Sequence, residues 1–416
     1  MITRHKNILT TLLLMLMTTT AMAQRNEIYN ERIATVQVVA GEDWLSPPVT
    51  NLHGQPIHIS FDDLTHEYHR YTYKIEHCEA DWRVSDQLFD SDFIDGFIEG
   101  NIIDDVEESL NTNVLYTHYR LDIPNEQCSL KMSGNYRLTV YDNNNDNEPM
   151  FSVCFFVVDP TIGVSLTVSS NTDIDVNNSH QQVSMEVKYA GLRVISPSDQ
   201  IKTVVMQNGR WDNAVVNARA QFTMSDGLRW SNCRDLIFDA GNEYHKFEVL
   251  DTDHPTLGID HIRWDGKVFH AFVIPDDPRP NYLYDEDANG AFYIRNSDNI
   301  ENDRISDYVR VHFQLMCPEP VDGDVYVNGV WTNDQFLPQY QMEYDEMNRS
   351  YDAEVLLKMG YYSYQYVLID SKGYAQIMPT EGSFFQTENK YQALVYYREP
   401  GGRTDLLLGY QQVQFK

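Results

Sequence analysis

Apolar and polar residues alternate along most of this chain. Tyr71, Tyr73 and Ile75 are interleaved with Thr72, Lys74 and Glu76, Tyr136, Leu138 and Val140 with Arg137 and Thr139, and Val183, Met185 and Val187 with Ser184 and Glu186. Tyr391, Ala393, Val395 and Tyr397 share one side of a later run. Side chains of a strand point to opposite faces, so each run offers one face to a core. Tyr, Val, Phe and Thr suit such half-buried surfaces. Turn formers recur between the runs, as in Asn51 to Gly54, Ser133-Gly134-Asn135, Asn208-Gly209, Asp265-Gly266 and Asn328-Gly329. No long stretch keeps a 3.6-residue period. The pattern predicts an all-β chain of tandem immunoglobulin-like β-sandwiches.

Two seams divide the pattern. Val157-Val158-Asp159-Pro160 closes a strongly apolar run before a new strand at Val164, and the polar stretch Asn296 to Asp307 precedes the run Tyr308 to Leu315. The expected units are therefore sandwiches over residues 24–159, 160–300 and 301–416, each near the size of an immunoglobulin-like domain.

The 416 residues carry 31 Lys+Arg against 62 Asp+Glu, a formal net charge of −31. Such acidity argues against a nucleic-acid backbone or an anionic lipid surface as partner, because like charges repel. The first 23 residues read as a secretory signal. Arg4 and Lys6 precede the apolar stretch Ile8 to Met17, and Ala21-Met22-Ala23 offers a small-x-small cleavage site after Ala23. No later run is long and apolar enough to suggest a spanning helix, so an exported, non-spanning protein is expected. The cysteines Cys78, Cys128, Cys154, Cys233 and Cys317 are odd in number and lack metal-like spacing.

Local chemical motifs are sparse. Asp285, Asp287, Asn289 and Gly290 fit the opening of a calcium loop, but its closing position holds Asn296 where a bidentate acid is needed. A hairpin turn at Asn289-Gly290 is the competing reading. Between Arg83 and Arg120 no basic residue occurs, and acids alternate with Phe93, Ile94, Phe97 and Ile98, which reads as a solvated loop or as a partner surface. No nucleophile elbow, phosphate loop, HExxH helix or dinucleotide fingerprint is present, so neither an enzyme nor a cofactor is expected.

The last unit carries Val325-Tyr326-Val327-Asn328-Gly329, then Trp331-Thr332-Asn333-Asp334, then Gly360-Tyr361-Tyr362-Ser363-Tyr364-Gln365-Tyr366-Val367. This resembles the early-set sandwiches that precede or bind α-glucans. Asp334 stands where glucan binders expose a stacking Trp, and Trp331 where an inward apolar residue lies. The resemblance thus supports the fold and weakens sugar binding.

Longer segments in order carry a second resemblance. They include Ser60-Phe61-Asp62-Asp63-Leu64, Tyr73 to Trp82, Ile94-Asp95-Gly96-Phe97, Tyr116-Thr117-His118-Tyr119 and Ile123-Pro124-Asn125-Glu126. Gln207 to Ala214, Gly241-Asn242-Glu243, Glu381 to Asn389 and Val395-Tyr396-Tyr397-Arg398 continue the series. Together they resemble the type IX secretion system plug proteins. The resemblance implies a periplasmic, non-catalytic protein that occludes the periplasmic mouth of the SprA-type outer-membrane barrel when cargo is absent. A plug must hold firmly yet release, which suits a few aromatic and Arg anchors in a polar rim. The expected anchors are Trp82, Phe93 and Phe97 in one segment and Asn208, Arg210 and Trp211 at one turn. The rival expectation is a carbohydrate-binding or adhesion module.

Overall fold

A computed structural model describes residues 26–189 and 191–416. The expected signal segment, with its cleavage after Ala23, lies outside the described residues. The chain is all-β, as the alternation predicts, and its strands form three sandwiches.

In the first sandwich, the strands Glu148–Val158, Gly134–Asp142 and Tyr71–Cys78 form the centre of one sheet. The strands Ile33–Ala40, Ile57–Asp63, Thr117–Ile123 and Asp105–Glu108 form the other. Between them Phe61 packs its ring on Tyr71, Tyr119 and Phe151 at 5.3, 5.1 and 4.7 Å. The strand Glu148–Val158 is buried along nearly its whole length, which explains its unbroken apolar run. Phe151, Val153, Phe155 and Val157 fill the first sandwich. Cys154, Phe156 and Val158 face out and pack on Val204, Met206, Leu394, Tyr396 and Leu407 of the second sandwich. A strand reads as continuously hydrophobic when both faces are covered.

The second sandwich is built from two distant parts of the chain. One sheet holds Gly163–Ser169, His180–Lys188, Gly227–Trp230 and Ile237–Asp239. In the other, Ile201–Gln207 pairs with Asn389–Tyr397, which pairs with Leu406–Phe415. Tyr391, Ala393, Val395 and Tyr397 do share one buried face, but it belongs to this core. The third sandwich, from His245–Val249 to Ala375–Ile377, is therefore an insertion within the second. Its two layers join through Gln341–Asp345, whose first two residues pair with Asp324–Asn328 and whose last three pair with Ser350–Lys358.

This arrangement corrects the expected division into units 160–300 and 301–416. The physical reason is that antiparallel pairing is satisfied by any strand that reaches the open edge, however far away in sequence. The seam Asn296 to Asp307 is a junction instead of a linker. Ser306 and Asp307 are buried, Tyr116 Oη donates to the Ser306 carbonyl at 2.7 Å, and the Asp307 carboxylate accepts the Asn113 and Val114 N–H groups.

The true connections are Ala240 to Tyr244 and Met378 to Glu388, which run side by side. Phe384 N–H donates to the Gly241 carbonyl at 2.9 Å, Asn242 Nδ2 to Glu381 O at 2.8 Å, and Asn389 Nδ2 to Ala240 O at 2.8 Å. At this double crossing His245 sits between two carboxylates, Nδ1 at 2.8 Å from Asp276 and Nε2 at 3.0 Å from Glu381. Burial alone would lower its pKa, but Asp276 and Glu381 outweigh it and hold the imidazole up at about 9.

The first and third sandwiches are joined by a buried charge cluster. Lys358 Nζ donates to Asp62 Oδ2 at 2.7 Å and to Asp303 O at 2.6 Å, and lies 4.1 Å from the centre of the Tyr116 ring. The remaining capacity of Asp62 is taken by Tyr308 Oη at 2.6 Å and His118 Nδ1 at 2.6 Å. Lys358 and Asp62 are 1% and 0% exposed, so neither can turn to water if its partner is removed.

Two outcomes are expected. Lys358→Met should destabilise the chain by about 3–5 kcal/mol in chemical denaturation, because Asp62 is left charged and buried; adding Asp62→Asn should recover part of that loss. The His245 pKa is raised on folding, so its contribution is fully present below about pH 6.5 and is lost as pH rises through about 9. Stability should fall by on the order of 3 kcal/mol across that window, and His245→Gln should flatten the slope in denaturation curves taken at stepped pH.

Candidate interaction surface

The Asn208-Gly209 turn has positive φ at both residues, 54° and 72°, the geometry that Asn-Gly favours. It does not project as a recognition tip. Asn208 exchanges backbone and side-chain hydrogen bonds with Lys390 and Asn389, at 2.7 and 2.8 Å. Arg210 is held by Asp212 through Nε at 3.0 Å and an Nη at 2.5 Å. Trp211 lies flat over Phe156, with ring centres 6.4 Å apart at 10°, and edge-on to Trp82 at 6.1 Å.

Trp82 and Trp211, both expected as surface anchors, thus meet each other inside the joint between the first and second sandwiches. Trp82 is buried, and Trp211 packs against the cluster it belongs to. Phe93 is also buried, in the first core beside Tyr136. These placements correct the expected anchor set: an aromatic next to a turn is drawn inward wherever a second sandwich covers it. Polar links surround this joint. Asp405 accepts from Lys202 Nζ at 2.7 Å, Arg398 Nε at 2.8 Å and the Ala80 N–H at 3.1 Å, and Arg398 also reaches Glu79.

Phe97, in contrast, is 71% exposed and follows the strand Ile94–Gly96, which pairs with Cys128–Leu130. Phe89, which lies within the same segment but is not among the expected anchors, is 73% exposed. It precedes the short helix Asp90–Phe93, and the Arg403 guanidinium lies 5.9 Å from its ring while pairing with Asp92 at 2.8 Å. Val84 is also exposed on this segment. Exposed apolar side chains flanked by Asp90, Asp95 and Glu99 give the aromatic and polar mixture of an interaction rim.

A cleft of about 610 Å³ opens where the three sandwiches meet. Its aromatic lining comes from Trp44 of the first, Trp211 of the second and Phe336 of the third, with Asp212 and Asp334 among its polar groups. Burial and the nearby Asp212 charge push the Asp334 carboxyl up to about 7, against the pull of Arg210. Trp331, by contrast, points inward and donates its indole N–H to the Ser363 carbonyl at 3.1 Å.

The calcium candidates are committed elsewhere. Asp285 pairs with Lys246 at 2.5 Å, while Asp287 accepts the backbone N–H groups of Tyr244 and Asn289 at 2.5 and 2.6 Å. Asn289 and Gly290 take positive φ, 50° and 86°. The segment is a turn closed by the Asp287 carboxylate, while Asp285 is engaged by Lys246.

The family model for the first domain of the type 9 secretion system plug protein matches residues 33–159. The crystal structure of a hypothetical protein from Parabacteroides merdae ATCC 43184 is similar over 94% of this chain and 100% of its own, at 36% identity and a TM-score of 0.91. No curated protein matches.

The two aromatic environments predict opposite behaviour. Trp211→Ala should cost about 2 kcal/mol of stability by opening a cavity in the joint, whereas Phe97→Ala should stay within about 0.5 kcal/mol of the parent. Denaturation midpoints of the two variants check this.

Proposed function

The chain belongs to the type 9 secretion system plug protein family, and on that premise we propose that it is a non-catalytic plug for the periplasmic mouth of the SprA-type outer-membrane barrel, closing it while no cargo is in transit. Membership ties the chain to type IX secretion and to the cell envelope. No helix among the described residues is long and apolar enough to cross a membrane. The finer reading, that the protein is exported, loses its first 23 residues and acts from the periplasm on that barrel, is our proposal.

The observation that carries the reading is the way the sandwiches are joined. A stopper must keep its shape against the opening it covers, and here both faces of Glu148–Val158 are packed while Lys358 ties the third sandwich to the first. Contact, on this reading, is made from the outside of the body. Phe89 and Phe97, both within the part matched by the plug-domain family model, are its aromatic anchors, with Trp82, Phe93 and Trp211 reserved for internal packing. Few anchors within a charged rim favour a hold that is specific and can still be released.

The test is recovery of the barrel with a tagged chain from detergent-solubilised outer membrane. The parent should retain the barrel, and Phe89→Ala/Phe97→Ala should lower recovery at least about tenfold with an unchanged denaturation midpoint. Equal recovery by the double variant removes these anchors, and absence of the barrel from the parent eluate removes the function.

A further inference from the structure

The third sandwich carries an unusual group of side chains on the outer face of one layer. In Phe269–Val273 and Tyr308–Met316, which run parallel, Ala271, Val273, Val309, Val311 and Phe313 face the core. The alternate positions, His270, Phe272 and His312, therefore face outward. Across the next strand His312 stands directly opposite Glu354.

His270 Nδ1 lies 2.7 Å from His312 Nε2, and Glu354 Oε2 lies 3.6 Å from that same nitrogen. The three donor atoms fall within 4.8 Å of one another. We infer that His270, His312 and Glu354 form a binding site for Zn²⁺ or a similar borderline divalent cation, with a fourth position open to water or to a donor from another molecule.

The surroundings support a built site. Asp265 Oδ2 lies 3.2 Å from His270 Nε2, the ring nitrogen that faces away from His312. The other Asp265 oxygen accepts the Lys267 and Val268 N–H groups at 2.7 and 2.9 Å, so the turn fixes the carboxylate. A carboxylate holding the far N–H of an imidazole directs the lone pair of the near nitrogen toward a metal. Phe272 lies parallel to the His312 ring at 4.2 Å, and His261 parallel to Phe272 at 4.3 Å, which restrains the orientation of the second ligand.

Two imidazole nitrogens meeting without an ion need one of them to carry a proton toward the other. An ion uses both lone pairs, and tetrahedral Zn²⁺ at ordinary bond lengths would require the rings to open by less than about 1 Å. Two imidazoles and one carboxylate favour zinc-like ions over Mg²⁺ or Ca²⁺, which prefer all-oxygen shells. Binding would tie three neighbouring strands together at the edge of the third sandwich. This inference does not depend on the plug reading.

The test uses full-length mature chain, with any affinity tag removed and metal stripped by chelator, titrated with Zn²⁺ against a chromophoric competitor at pH 7.5. One equivalent should bind, and the denaturation midpoint should rise with it. His270→Gln and His312→Gln should each weaken binding at least about 100-fold, and Asp265→Asn about 10-fold. His254→Gln, at an exposed histidine outside the group, should leave it unchanged. Glu354→Gln, on the most exposed ligand, should also weaken binding and keeps the test valid if a histidine variant fails to fold. No saturable binding by the parent, or equal affinity in the folded Glu354→Gln and histidine variants, would overturn the site.

Discussion

Lys358 is the point on which the shape of this molecule depends. Its ammonium group is withdrawn from water, and Asp62, Asp303 O and the Tyr116 ring replace the lost solvation. Asp62 belongs to the first sandwich and Lys358 to the third, so the pair is satisfied only when the two are correctly seated. A buried ion pair of this kind contributes little net stability over an apolar substitute, because desolvation offsets attraction. What it imposes is a penalty on every misaligned arrangement. The apolar joint between the first and second sandwiches supplies the complementary force, since hydrophobic burial is strong but tolerant of direction.

The insertion makes the two joints cooperate. The third sandwich leaves and rejoins the second through crossings that hydrogen-bond to each other, and the first sandwich touches both. No sandwich can swing without breaking either the Phe156–Trp211 contact or the cluster around Asp62. A body held at two joints and carrying 62 acids against 31 bases is suited to remain soluble near a membrane surface and to act by shape. That is the physical content of the proposed stopper.

Much of the fold was legible in the sequence. Period-two alternation placed the strands, and the strongly apolar run that closes at Val158 was visible too, but its covering on both faces emerges only with the second sandwich in place. The connectivity was not legible, because Ile201–Gln207 and Asn389–Tyr397 are complementary as an edge pair and nothing local marks that they meet. The same non-local packing hid Trp82 and Trp211, whose turn-side positions look exposed until the neighbouring sandwich is added. The segments Gly241-Asn242-Glu243 and Glu381 to Asn389, which helped to carry the family resemblance, turn out to be the paired crossings. His270 and His312 gave no spacing signal, since a sheet brings together ligands from separate strands.

The most direct test of the central claim is the permeability of the idle secretion channel in living cells. Uptake of a large, normally excluded dye or antibiotic would be measured in a strain lacking this protein, in one lacking the barrel as well, and in the parent. If the protein closes the idle barrel, the single deletion leaks and the leak disappears when the barrel is also removed. A single deletion as tight as the parent would contradict that role.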